Sequence, residues 1–519
     1  MMNINSVGRE IPDSIGNRKL TPYMGPFSKE PDSIIMVKKK QSLILPRESK
    51  IKESIKDAIV ACGLKDGMTI SFHHHFREGD KVIGLVLSAI KELGIKNLRF
   101  APSAVINIKN PSIVDFVKDG TINRIEASGI RGQLGDAVIA GLMEEPVILR
   151  THGSRPRAIE TGELAIDVAF IAASASDDYG NANGFSGKNS CGALGYSMID
   201  AKCAAKVIVI TDTLAEFPLV PASISQHEVD CVVLVDEIGD SKLIGKGAAR
   251  VTKNPRDLLI AKNTANVIAN CGYFKEGFTF LTGVGAISIA CTQYLREKMI
   301  EQGIKARAAI GGITADIVSL HDEGLIEVIE AVQCFDAESA KAMGQKHTII
   351  ECDNNVYSNI FNKGCMVNRT DIGILSALEV DTDFNVNILT GSSGEMLGGL
   401  GGGPDVASGA EVSIVTIPLY RGRTPSIVKK VFTLCTPGET IALVVTELGV
   451  SINPKHKNYE FLKENLSKSG IKIIPIEELQ KMAEEITGVP KPIECTDKIV
   501  AVVEYRDGTV IDVIRQIKK

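Results

Sequence analysis

Residues 113–127 read IVDFVKDGTINRIEA, and residues 317–331 read IVSLHDEGLIEVIEA; seven of the fifteen positions are identical without a gap. Two further echoes keep the same order. Lys65-Asp66-Gly67-Met68-Thr69 answers to Lys275-Glu276-Gly277-Phe278-Thr279, and Gly94-Ile95-Lys96 answers to Gly303-Ile304-Lys305. Three matches in sequence imply that one supersecondary unit was duplicated. Each copy predicts a short apolar strand (Met68–Phe72; Phe278–Leu281), a loop, and an amphipathic helix (Lys81–Leu93; Ala286–Glu301). A second strand follows (Leu98–Pro102; Ala306–Ile310) and ends in small residues. Strands alternating with helices imply parallel sheets with covered faces, so the expected class is α/β. Ligands of such sheets bind beyond the carboxyl ends of the strands, which nominates the loops at 73–77, 103–107, 282–285, 311–314 and 391–403 as site walls.

With 519 residues the chain predicts at least two domains. The expected division is an N-terminal extension (1–35), a first α/β domain (36–250) and a second (251–519), joined through Lys242 to Arg256. The tail after Thr436 returns to strand–helix patterning. It closes in a hairpin, Ile499–Tyr505 and Thr509–Ile514 around Arg506-Asp507-Gly508. The 58 basic and 63 acidic residues give a net charge of −5, with no long basic tract, which argues against non-specific nucleic-acid binding. Eleven cysteines stand singly, without a C-x-x-C pair, and read as reduced thiols of a cytoplasmic protein. The first sixteen residues lack the apolar region of a signal peptide, and no apolar run is long enough to predict a membrane span.

From Leu389 to Ala410 the chain reads LTGSSGEMLGGLGGGPDVASGA, between an apolar strand (Val386, Ile388) and a second one (Glu411–Leu419). A linker is one reading. The other, preferred because the flanks read as rigid β runs, is a loop whose backbone N–H groups face a ligand. Ser71-Phe72-His73-His74-His75-Phe76-Arg77 ends the first strand of the first copy. His73 and His75 could share a face for a metal, but no third ligand stands at a suitable spacing, so no metal is expected. A carboxylate pocket fits better, with Arg77 as a bidentate donor and imidazoles beside it; a solvated strand end is the competing reading. Asp177 to Gly184 follows the strand Val168–Ala173, and its Asn181 and Asn183 read either as ligand-facing amides or as turn formers. Cys191 lacks a partnered histidine and reads as a buried thiol. Thr282-Gly283-Val284-Gly285 and Gly311-Gly312-Ile313-Thr314 end strands. The first lacks the third glycine and the later acidic residue of a dinucleotide fingerprint, and no Walker lysine motif occurs.

The chain resembles the α subunit of citrate lyase over nearly its whole length. The resemblance is carried by Gly8-Arg9-Glu10-Ile11-Pro12, Phe72-His73-His74 with Phe76-Arg77, Thr151-His152-Gly153, and Asp167 to Asp177. It continues through Gly401-Gly402-Gly403-Pro404-Asp405 and the run VAVVEYRDGTVIDVIRQ at 500–516. More remotely the layout is similar to CoA-transferases, which implies two related open, mainly parallel α/β domains with the site between them. Those enzymes use a glutamate near the end of a second-domain strand; Gly311-Gly312 stands there, so a covalent enzyme thioester is not expected. Glu395 does not match that position.

The resemblance implies an acyl exchange in which an acetyl thioester and citrate become a citryl thioester and acetate, through an acetyl–citryl anhydride. The thioester would be a CoA-type, dephospho-CoA-derived group carried on a partner, with no cofactor bound covalently to this chain. Implied partners are an acyl carrier protein subunit and a citryl-lyase β subunit in a hetero-oligomer, with citrate and acetate as small molecules and neither nucleic acid nor membrane. Backbone donors are expected from Gly311, Gly312, Gly401, Gly402 and Gly403, where one oxyanion donor contributes about 3 kcal/mol. Citrate's carboxylates would be held by Arg77 with His74 and His75, by Asn181 and Asn183, and less directly by Arg155 and Arg157. Rival readings are a CoA-transferase or thioester hydrolase acting on free CoA through a glutamyl intermediate, and a scaffold that only docks partners.

Overall fold

Two large sheets organise the computed structural model, which describes residues 2–31, 33, 44–105, 112–245 and 252–518. The first sheet takes β1 (Ile51–Lys52), β2 (Thr69–Ser71), β3 (Leu98–Phe100), β4 (Ile122–Ala127), β5 (Val147–Arg150), β6 (Val168–Ala173), β7 (Lys206–Thr211) and β8 (Cys231–Leu234). The second takes β9 (Phe278–Thr282), β10 (Ala306–Ile313), β11 (Ile326–Cys334), β12 (Ile349–Glu351), β13 (Ile372–Ser376), β14 (Val412–Thr416), β15 (Leu443–Val445) and β16 (Val450–Ile452). Two C-terminal strands, β17 (Cys495–Glu504) and β18 (Val510–Ile517), complete the first.

The strand orders are β18-β17-β5-β4-β3-β2-β6-β7-β8-β1 and β12-β11-β10-β9-β13-β14-β15-β16. Only the β17–β18 and β15–β16 pairs within them are antiparallel. The expected α/β class and the duplication both hold: the strand order β5-β4-β3-β2-β6-β7-β8 matches β12-β11-β10-β9-β13-β14-β15. The repeat reaches individual hydrogen bonds. Asp66 accepts the N–H of Lys96 at 2.8 Å, and Glu276 accepts that of Lys305 at 2.8 Å. Asp167 accepts from Thr69, and Asp371 from Thr279, both at 2.7 Å.

The covering helices form where their patterns predict. Val82–Glu92 buries Val82, Ile83, Val86, Leu87 and Ile90, a stripe at helical spacing. Ala286–Gln302 stops at Gly303, whose φ of 65° lets its N–H turn back to the carbonyls of Met299 and Ile300.

Two expectations need correction. The 389–410 stretch is not loop throughout: Gly403–Gly409 is a short helix, favoured by Pro404 and Asp405 in its first turn. The C-terminal hairpin, assigned by order along the chain to the second half, lies in the first sheet, with Ala501–Glu504 parallel to Val147–Arg150. The reason is a buried charge that must be paired. Arg150 is gripped by Glu126 at 2.9 and 3.1 Å and by Glu504. Glu504 also accepts from Ser154 at 2.7 Å and from Arg157 at 3.3 Å. The expected division points at 35/36 and 250/251, and residues 106–107 of one nominated loop, lie outside the described residues.

The halves share their interior. Leu389, Met396 and Leu400 of the glycine loop are buried in the core of the first sheet, while Ala193 is buried in that of the second. No helix among the described residues is long and apolar enough to cross a membrane.

Candidate functional site

A cavity of about 230 Å³ opens at the seam between the sheets. Its second-half wall is made of strand ends: Leu281–Gly285 after β9, Gly312 in β10, Val332 and Phe335 at β11, and Leu375–Ser376 at β13. The order of the second sheet reverses between β9 and β13, the crevice where open α/β sheets bind ligands. Gly399–Gly403 and Val406 close another side, and His152 and Tyr196 come from the first half. The seam is stitched across this site. The His152 N–H donates to the Gly401 carbonyl at 2.9 Å, and the His152 carbonyl accepts from Asn354 at 2.8 Å. The Gln333 amide reaches the His74 carbonyl at 3.1 Å, and Thr151 donates to Asp405 at 2.8 Å.

The histidines after β2 diverge. His73 meets Asp200 at 3.0 Å, and Asp200 is held by Arg155 through contacts of 2.6 and 2.7 Å. His74 meets the Ser103 hydroxyl at 2.6 Å and lies against Tyr196 and His152, with ring centroids 4.9 and 6.0 Å away. His75 stacks on His73 at 5.7 Å, and neither of its buried ring nitrogens has a hydrogen-bond partner among the described residues. Burial holds the imidazoles of His74 and His75 well below their ordinary pKa and takes His152 down to about 3, with Arg155 adding to the effect. These rings are neutral hydrogen-bonding groups. His152 Nδ1 and the Tyr196 hydroxyl share a hydrogen bond of 2.6 Å, and burial pushes the ionisation of Tyr196 well up.

Arg77 supplies the charge. Its backbone is in the left-handed region, φ 49°, an uncommon conformation for a side chain of its size. Its guanidinium lies 5.3 Å over the ring of Phe335, a cavity residue, and makes no ion pair or hydrogen bond among the described residues. Burial and neighbouring Arg131 both disfavour its protonated form. Arg131, at the start of the helix Gly132–Ile139, is likewise without an ion pair or hydrogen bond among the described residues. Arg77 thus packs on a cavity residue with Arg131 close enough to feel its charge, which concentrates positive charge on this side of the seam.

The candidates sort clearly against this geometry. Gly312 and Gly401, Gly402 and Gly403 line the cavity, and Gly311 borders it, with φ of 95°. His74, His75 and Arg77 stand one side chain behind the lining. Asn181 and Asn183 are elsewhere and are consumed by their own turn. The Asn181 amide donates to Asp177 at 2.8 Å and accepts from the Gln226 N–H at 3.0 Å. Asn183 donates to the Pro221 carbonyl at 2.8 Å and accepts from Ser186 at 2.9 Å. Arg155 and Arg157 are taken by Asp200 and by Glu163 with Glu504. Glu395 turns back to the Ser393 N–H, and no carboxylate among the described residues lines the cavity. Cys191 is buried with its thiol pushed well up by desolvation, as expected of an unreactive thiol. Residue-by-residue reading missed Arg131, Tyr196 and Tyr357; His152 stood in a quoted run without a role.

The family model described as "Citrate lyase, alpha subunit (CitF)" matches residues 48–517. The citrate lyase alpha chain of Klebsiella pneumoniae is 47% identical over 499 residues, 96% of each chain. A structure of the citrate lyase alpha subunit from Streptococcus mutans, solved in complex with citrate, matches with a TM-score of 0.95 at 47% identity, covering 99% of this chain and 100% of that one. A chain of a Pseudomonas malonate decarboxylase hetero-tetramer shares the fold, with a TM-score of 0.62 at 15% identity over 83% and 85% of the chains.

Proposed function

The chain belongs to the citrate lyase alpha-subunit family, and from that premise we propose that the seam cavity is where it exchanges acyl groups. The chain is the acyl-transferase component of citrate lyase, a citrate CoA-transferase-type enzyme. It converts an acetyl thioester and citrate to a citryl thioester and acetate.

The observation that carries the placement is a cavity walled by bare glycine backbone and, among the described residues, lined by no carboxylate and backed by an Arg77 without an ion pair or hydrogen bond. A glutamyl intermediate has no group to start from there. Citrate's own carboxylate, anionic at neutral pH, attacks the acetyl carbonyl; the carbon–sulfur bond breaks and the thiolate leaves. That thiolate then attacks the citryl carbonyl of the anhydride, and the carbon–oxygen bond breaks to release acetate. Each step places negative charge on a carbonyl oxygen, to which the N–H groups of Gly312 and Gly401–Gly403 are suited. Arg77 with Arg131 offsets the remaining carboxylates, and His74 and His75 contribute neutral donors. The buried seam excludes water from the anhydride.

The thioester is a CoA-type, dephospho-CoA-derived group on an acyl carrier protein. A β subunit completes the cleavage of citryl thioester within a hetero-oligomer in the cytoplasm, in keeping with eleven free cysteines. The test is mass spectrometry of the isolated chain with citrate and an acetyl thioester, either carrier-bound or of dephospho-CoA. Citryl thioester with free acetate supports the reading; intact acetyl thioester with the carrier still bound leaves a docking scaffold.

A further inference from the structure

Tyr357 sits on the short helix Asn354–Ser358, 4% exposed, with its ring in the same apolar cluster as Leu281 and Met366. That helix is held firmly. Asp353 caps it by accepting the Asn355 N–H at 2.8 Å, and Glu160 of the first half takes the amide of Asn359 at 3.1 Å. Two other buried tyrosines spend their hydroxyls inside the protein: Tyr23 donates to Glu439 at 2.9 Å, and the Tyr196 hydroxyl is hydrogen-bonded to His152 Nδ1 at 2.6 Å. Tyr357 lines the cavity, and its hydroxyl has no hydrogen-bond partner among the described residues.

The surroundings of that hydroxyl are shaped by two of the glycine turns. A Cβ built on Gly311 would lie 3.0 Å from the Tyr357 oxygen, and one built on Gly402 would lie 3.4 Å from it. Any side chain at either position would crowd it. The φ of 95° at Gly311 and the glycine at 402 therefore bring two stretches of bare backbone to the same phenol. Burial, together with the nearby Asp405 carboxyl and Cys365 thiol, pushes the ionisation of this phenol far up, so it keeps its proton.

We propose that the Tyr357 hydroxyl is the side-chain donor to the carbonyl oxygen that turns anionic, acting beside the N–H groups of the glycine loop. The inference rests on the acyl-exchange reading. The two acyl-transfer steps pass through like oxyanions, so one fixed donor serves both. The proton stays on the phenol throughout; the hydroxyl contributes a hydrogen bond that strengthens as charge develops.

The test compares the full-length chain with Tyr357→Phe, which keeps the ring and removes only the oxygen. Citryl thioester formation is followed by mass spectrometry, and citrate binding by its shift of the melting temperature. The expected result is a kcat lowered about 100-fold, with the KM for citrate within about threefold and the citrate-induced shift retained. A kcat within about threefold of the unsubstituted chain overturns the proposal. Loss of both kcat and the citrate-induced shift also overturns it, because the ring would then serve shape or ground-state binding. If the unsubstituted chain itself forms no citryl thioester, the acyl-exchange reading has failed rather than the assignment of Tyr357 alone.

Discussion

The two halves share strand order and turn hydrogen bonds, yet they end their strands in opposite ways. After β2 the first half places three imidazoles and a guanidinium, His73 to Arg77. After β9, the matching strand, the second half places Gly283 and Gly285, and β10 carries Gly311 and Gly312. Duplication supplied two equivalent frames. One ends its strand in imidazoles and a guanidinium; the other ends its strands in glycine, which leaves bare backbone and the Tyr357 phenol lining the cavity.

The most damaging change to this contrast is a side chain on the bare wall. A Cβ on Gly312 would lie 1.9 Å from the Phe335 ring. Gly312→Ala should cost about 1–3 kcal/mol of stability, read by thermal melting, and displace Phe335. Citryl thioester formation should fall by about 100-fold or more, and a fully active variant would break the distinction between the walls. On the charged wall, Arg77→Lys keeps the charge and loses the fork geometry. The KM for citrate should rise about tenfold with kcat little changed, measured by steady-state exchange. An effect on kcat alone would move Arg77 from binding to chemistry.

Asn183→Ala should leave the KM for citrate unchanged and lower stability by about 1–3 kcal/mol, because it strands the buried groups that the amide now joins. A raised KM would return this turn to the site. The smallest effect is the pH response of the first wall. His74, His75 and His152 have folded pKa values below their unfolded ones, that of His152 at about 3. The unfolded chain therefore binds more protons as pH falls below about 6.5, and stability drops in that direction until the folded values are reached. The urea midpoint should be lower at pH 5.5 than at 7.5, and His75→Gln should narrow the gap.

What was legible in the sequence follows the range of each interaction. The duplication, the strands and the helices rest on local periodicity and caps, so they could be read from neighbouring residues. Arg77 and the glycine turns were legible because their residue types restrict what the chain can do there. Tyr196 and Tyr357 reach the cavity from separate helices, and nothing adjacent to them announces the meeting. Asn181 and Asn183 stayed ambiguous because a turn that caps itself and a turn that faces a ligand use the same side chains. The hairpin's strands were plain, but its sheet was chosen by Glu504 and Arg150, which are 354 residues apart.

That pairing has a consequence during synthesis. A chain emerging from the ribosome at roughly 5–20 residues per second makes β5 roughly 20–70 seconds before its neighbour β17 exists. Throughout that interval the first sheet ends at an open strand edge, and the Arg150 guanidinium waits without the Glu504 carboxylate that will bury it. The whole second half is made while the first sheet still lacks its last two strands. The last strands to be made then close the oldest sheet.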